Sequence, residues 1–306
     1  MKKIGIYLVY GLSFLLLMAA FALGTIAFTE LGFQLVFVPG YLFTFSSIYL
    51  IFILHELGHA FCGYLTGYRL VSLGLGNFLL TKKAGKFRLS RTATLKNVGA
   101  QYIGLKEDES DQRMILMLSG GLLVHLTLLI LSILFGVLTQ SWYFAGTWIC
   151  LNLSFILATA LPLGITDGAK ILELLRHPEN VPYAYLGLRQ SAQTLLAPED
   201  YELKNFVRPV PEEAQGGFVE GVLALQGEVY ILEGNREAAK EQFQALLERA
   251  DSPMIQTAAQ LSLLHIALLE GDDEKAEEYA SIRRVKSFLS MKMTNKIGRA
   301  SCRERV

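Results

Sequence analysis

Charge is missing from three long stretches of this 306-residue chain: no Asp, Glu, Lys or Arg occurs at 4–29, at 31–54 except Glu30 just before it, or at 114–166. Runs of that length leave no water-facing side and exclude a purely soluble globular fold. A charged fraction of 18% beside a hydrophobic fraction of 52% points the same way. Cysteine is scarce, with only Cys62, Cys150 and Cys302, and no C-x-x-C pair exists. That gives no disulfide framework. Cys62 and Cys150 read as small apolar residues in membrane helices. An excess of one charge sign is also missing, because 28 basic residues balance 28 acidic ones. Without a basic block, nucleic acid is not an expected partner. The composition therefore predicts an integral membrane protein with a soluble portion.

Four spans are expected. The first, Ile4 to Thr29, follows the positive Met1-Lys2-Lys3. Ala20-Phe21-Ala22 resembles a signal-peptidase site, but the apolar run continues past it, so an uncleaved anchor is expected. The second runs from about Tyr41 to Leu65. Between Thr66 and Arg113 lies a polar stretch holding Arg69, Lys82, Lys83, Lys86, Arg88, Arg91, Lys96 and Lys106, which marks it as cytoplasmic. Its glycines and alternating apolar residues (Val71 to Leu75, Phe87 to Leu89) predict short strands and hairpins, a small sheet able to pair with an extended peptide. The charge-free run from Met114 to Thr166 is too long for one span and breaks at Thr139-Gln140-Ser141, giving helices near 114–138 and 142–161.

The second span ends in His55-Glu56-Leu57-Gly58-His59, the pattern H-E-x-x-H. On a helix the two histidines project from one face, one turn apart, which is the spacing for two nitrogen ligands on one zinc ion. Glu56 lies about 100° around the helix, where it can act as a base on a water without binding the metal. Ionisable groups at a membrane helix end are costly and default to function. The extended pattern H-E-x-x-H-x-x-G-x-x-H fails, because Cys62 and Leu65 stand at the Gly and third His positions. The acidic cluster Glu107–Asp111 offers a third ligand only from a charged loop. Ser119-Gly120-Gly121 predicts a notch for a neighbouring helix. His125, just beyond, can be a third ligand, a hydrogen bonder to substrate or a packed residue; the packed or pore-facing role is the expectation. Asp167-Gly168, taken alone, reads as a helix cap or turn after the break at Pro162.

Taken together, His55-Glu56-Leu57-Gly58-His59 in one span and Pro162 with Asp167-Gly168 after a later one resemble the site-2 protease family of intramembrane zinc metalloproteases (peptidase M50). The family pattern is N-x-x-P-x-x-x-x-D-G, whose Asp supplies the third zinc ligand; the resemblance thus implies that role for Asp167. Thr159 stands at the Asn position, and Ser119 to His125 departs from the family's Asn-bearing segment, departures that touch substrate-strand binding more than metal binding. The resemblance covers roughly residues 1–175. It implies a Zn2+ cofactor held by His55, His59 and Asp167, with Glu56 catalytic. It implies cleavage of membrane-spanning or leader-peptide substrates near the cytoplasmic face of a bacterial plasma membrane, as in regulated intramembrane proteolysis. Topology agrees: with the amino terminus inside, the second and fourth spans run the same way, which brings the histidines and Asp167 to similar depth.

Beyond Lys170 the chain reads as soluble, with a helix near Tyr183–Leu195. Glu233-Gly234-Asn235-Arg236-Glu237-Ala238-Ala239 then recurs as Glu270-Gly271-Asp272-Asp273-Glu274-Lys275-Ala276, offset by 37. Each copy joins two apolar-periodic helices at a Gly turn and resembles tetratricopeptide repeats, which implies a groove for a protein partner. Ile297 to Val306 spells IGRASCRERV, which resembles an in-frame translation of a common sequencing-library adaptor. It is excluded from fold reasoning.

The expected fold is mainly α: a polytopic helical membrane domain of about four spans with a small β-rich cytoplasmic loop, then a soluble α-helical repeat domain. The expected domains are 1–175 metalloprotease, 176–211 connector, 212–290 helical repeats and 297–306 adaptor artefact. The soluble parts at both termini are expected to be cytoplasmic. The rival expectation is a catalytically silent membrane scaffold that recruits partners through the repeats.

Overall fold

The computed structural model describes residues 2–32, 37–75, 78–83, 86–91, 99–103, 113–162, 166–196, 202–250 and 252–289. The adaptor-like segment 297–306 and the acidic cluster Glu107–Asp111 lie outside the described residues. The chain divides into two compact units, Met1–Glu199 and Asp200–Val306.

The first unit is built on helices α1 (Lys2–Glu30), α2 (Phe37–Leu65), α3 (Arg113–Thr139) and α4 (Trp142–Ala160). Among the described residues these four are long and apolar enough to cross a bilayer. Helix α1 packs against α4 and α2, and α3 packs against α2 and α4. Lipid is as apolar as leucine, so such helices are held by close approach and buried hydrogen bonds rather than by escape from water. Small residues make the approach. A side chain at Gly40 would stand 2.7 Å from the Cα of Thr25, so α1 and α2 cross backbone to backbone there. The Ser13 and Ser154 hydroxyls meet at 2.7 Å between α1 and α4. Ala20 is fully buried against Ile51 and Leu151, inside an uninterrupted α1.

Between α2 and α3 the expected hairpins form. Strands β1 (Arg69–Leu75), β2 (Phe78–Lys83), β3 (Lys86–Arg91) and β4 (Gly99–Ile103) make one sheet in the order β3-β2-β1-β4. All pairs are antiparallel, with Ser72 opposite Thr81 and Leu80 opposite Leu89, and a register shift in β1 between Leu70 and Ser72 where it meets β4. Both β1 and β4 touch α2. After α4 come α5 (Asp167–Arg176) and α6 (Val181–Leu196). The latter is the helix expected near Tyr183–Leu195; it packs on β4 and β1 and so completes the first unit.

The second unit holds two helical hairpins, α7 (Gly217–Leu232) with α8 (Arg236–Arg249) and α9 (Pro253–Glu270) with α10 (Asp273–Ser281), followed by α11 (Arg283–Leu289). The hairpin turns close in the same way. Gly234 and Gly271 take φ of 79° and 72°, a region that favours glycine. The following amides, Asn235 and Asp272, donate back to Tyr230 O and Ala267 O at 2.9 and 3.0 Å. The same two side chains then cap the next helices by accepting from Ala238 N and Lys275 N. Gly227 lets Phe243 lie directly on α7, and Leu264, Ala267 and Ala276 of the second hairpin share a core with Val285 of α11.

Candidate metal centre

The site is assembled where α2 crosses α3. Two glycines allow the crossing: a Cβ on Gly120 would fall 2.7 Å from the His59 amide nitrogen, and one on Gly58 would meet the Gly120 carbonyl. Gly121 faces the His55 ring itself, so the expected notch at Ser119-Gly120-Gly121 receives a metal-motif helix. His55, Glu56 and His59 are all buried, at 5%, 7% and 8% exposure, so the motif does not face water.

Asp167 reaches the histidines from the start of α5. Thr166, not Asp167, caps that helix: its hydroxyl accepts from Ala169 N at 3.2 Å and donates to Leu161 O at 2.6 Å, tying the start of α5 to the end of α4. Gly168 is packed so closely on the Ala160 carbonyl that no side chain fits there. These contacts free the Asp167 carboxylate to turn inward from the first helical position. Burial alone would raise its carboxyl; the two imidazoles beside it and Lys170, 4.0 Å away, hold it below the usual carboxylate range. Thr159, which stands at the family's Asn position, spends its hydroxyl on Phe155 O, one turn back.

Three atoms converge. His55 Nε2 and His59 Nε2 are 3.1 Å apart, and each is 3.2 Å from Asp167 Oδ2. Three donors at about 2.0 Å from a tetrahedral ion would be about 3.3 Å apart. The observed triangle therefore fits zinc with little rearrangement, and among the described residues this is the His, Cys, Asp and Glu cluster able to hold a metal. His59 Nδ1 donates to Met117 O at 2.9 Å. That tautomer leaves the Nε2 lone pair of neutral His59 facing a carboxylate, an arrangement that a metal ion between them, or a proton on Nε2, satisfies. Glu56 is close enough for its charge to act on His59.

His125 does not join the triangle. It is fully buried, with Nε2 3.0 Å from His55 Nδ1 and Nδ1 3.0 Å from Asn152 Oδ1. This agrees with the packed role expected of it and adds a specific contact. Sequence reasoning missed Asn152, although an amide in a charge-free apolar helix is a signal of its own. The Met117 carbonyl had no signal to offer, since every residue carries one.

A family model described as Peptidase family M50 matches residues 43–141. That range takes in His55, Glu56 and His59, the sheet and α3, and stops before Asp167. Comparison with curated proteins and with solved structures returns no match. The family match supports a membrane metalloprotease, and with the four apolar helices it supports a multi-pass membrane protein.

Proposed function

We propose that this chain is an intramembrane zinc endopeptidase of the site-2 protease type. The observation that carries the reading is the convergence of His55 Nε2, His59 Nε2 and Asp167 Oδ2 within 3.2 Å of one another, from α2 and the start of α5. When bound, zinc supplies a Lewis acid for the scissile carbonyl and lowers the pKa of a water to about 7. His55 and His59 hold their Nε2 atoms toward the ion, and Met117 O keeps His59 in the required tautomer. Asp167 offsets part of the ion's charge in a low-dielectric setting. Glu56, buried beside them on α2, takes the proton from the water and delivers it to the leaving amine.

The proposed substrate is a membrane-spanning helix or leader peptide cut near the cytoplasmic face of a bacterial plasma membrane. Its extended segment would add to β3, which is an edge strand of the sheet among the described residues. The two hairpins of the second unit, with their matching turns, would serve as tetratricopeptide-like repeats that dock a protein partner. The rival reading, a silent scaffold, is less well served by three buried ionisable residues on α2, two of which meet the Asp167 carboxylate, since such groups are costly in a membrane helix and a scaffold does not need them. Glu56→Gln tests the choice. The variant should keep its zinc and lose cleavage of a co-expressed membrane substrate; cleavage at near wild-type rate would remove Glu56 from the chemistry.

A further inference from the structure

The two zinc-facing imidazoles are held by different means. His59 is oriented by a backbone carbonyl of α3, Met117 O. Among the described residues His55 has no such carbonyl; its Nδ1 meets a second histidine, and a ring nitrogen can either donate or accept. Left at that, two tautomers of His55 would compete, and in one of them Nε2–H would point at the metal position.

Asn152 removes the ambiguity. Its amide Nδ2 donates to Trp148 O, one turn back on α4, at 2.8 Å. A flipped amide would set its oxygen against that carbonyl, two acceptors face to face. Asn152 therefore presents Oδ1 to His125 at 3.0 Å, and Oδ1 can only accept. His125 must then carry its proton on Nδ1 and offer a lone pair on Nε2. That lone pair, 3.0 Å from His55 Nδ1, requires the proton of neutral His55 to sit on Nδ1. The lone pair of His55 is left on Nε2, beside His59 Nε2 and Asp167 Oδ2.

We infer that Asn152 and His125 are positioning residues that select the metal-binding tautomer of His55, through a one-way chain of hydrogen bonds running from the Trp148 carbonyl on α4 across α3 to α2. The inference rests on the zinc reading above. The chain's members are dry: His125 and Asn152 are both 0% exposed, so no water substitutes for a lost partner. An amide suits the far end because it imposes direction without adding a second carboxylate to a membrane interior. Partners of this kind are part of how metal sites are tuned, and their loss usually weakens metal binding about 10–100-fold.

The test uses the full-length chain in detergent, stripped of metal, titrated with zinc against a chelator and separately loaded with cobalt(II) for its visible spectrum. His125→Phe keeps the ring and removes the acceptor; zinc affinity should fall about 10–100-fold and the cobalt bands should shift. His125→Gln keeps an acceptor and should recover most of the loss. Asn152→Leu should weaken zinc as well, whereas Asn152→Asp, kept as the neutral acid in this dry setting so that its O–H donates to Trp148 O and its other oxygen still accepts from His125, should not. His125→Phe combined with Asn152→Leu should be no weaker than His125→Phe alone, because one chain cut twice is cut once. Wild-type zinc affinity in Asn152→Leu, losses that multiply in the double variant, or lower melting temperatures with unchanged affinity and spectra would each overturn the inference. If His125→Phe does not fold, the Asn152→Leu and Asn152→Asp pair decides. A wild-type chain that binds no zinc overturns the metal reading itself, whereas wild-type binding with indifferent variants overturns only the relay.

Discussion

Gly121→Ala should cost the protein its metal more than its fold. A Cβ at this position would overlap the His55 ring at Cε1 and Nδ1 and stand 2.7 Å from Nε2, where ordinary contact begins at 3.4 Å. Clearing the methyl group from Cε1, the nearest ring atom, moves the rigid ring and its proposed ligand atom by about 1 Å, against a tolerance of about 0.2 Å in zinc–ligand distance. The ring has little room to retreat, with His125 at 3.0 Å and Asp167 at 3.2 Å. Overpacking of this kind costs about 1–3 kcal/mol of stability. The loss in zinc affinity should be at least about tenfold, or about 1.4 kcal/mol. Both are measurable on one sample: the melting temperature of the zinc-free protein, and zinc affinity by chelator competition. Gly146→Ala is the control, since its Cβ would meet only the tip of Leu23, at 3.0 Å, and both readouts should stay near wild type. A folded Gly121→Ala protein with wild-type zinc affinity would show that His55 does not bind through Nε2.

Three further outcomes are expected. Asp167→Asn keeps the shape and removes the charge, so zinc affinity should drop by more than about tenfold and cleavage should vanish; normal zinc binding would strike Asp167 from the ligand set. A chain ending at Glu199, the limit of the first unit, should retain about one zinc per molecule, because all proposed ligands lie within it; a folded product without metal would place a ligand in the second unit. Gly227→Ala would drive a methyl group into Phe243, with ring atoms at 2.5–2.9 Å, and should destabilise the second unit by about 1–3 kcal/mol while leaving zinc affinity unchanged. Unchanged melting of that unit would mean that Phe243 has space to move.

Local spacing was enough to reveal much of this molecule. Charge-free runs marked the helices α1 to α4 because a bilayer tolerates little else, and the break at Thr139-Gln140-Ser141 separated two of them within a residue or so. The histidines of H-E-x-x-H share a helix face by the geometry of the helix alone, and the Gly turns of the second unit follow from the positive φ that each adopts. Hairpins between α2 and α3 were legible from alternation, but their sheet order was not, since register depends on which strands meet. Asp167 shows where such reading stops. By itself it looked like a cap, and a likeness to a family was needed to join it to His59, 108 positions away. Only the packing of Gly168 on Ala160, with Thr166 taking over the capping, turns its carboxylate inward. The same holds for the Met117 carbonyl, for Gly121 beneath the His55 ring, and for Asn152 behind His125. Each acts through a contact between helices, and the direction of a hydrogen bond across three helices exists only once all three are in place.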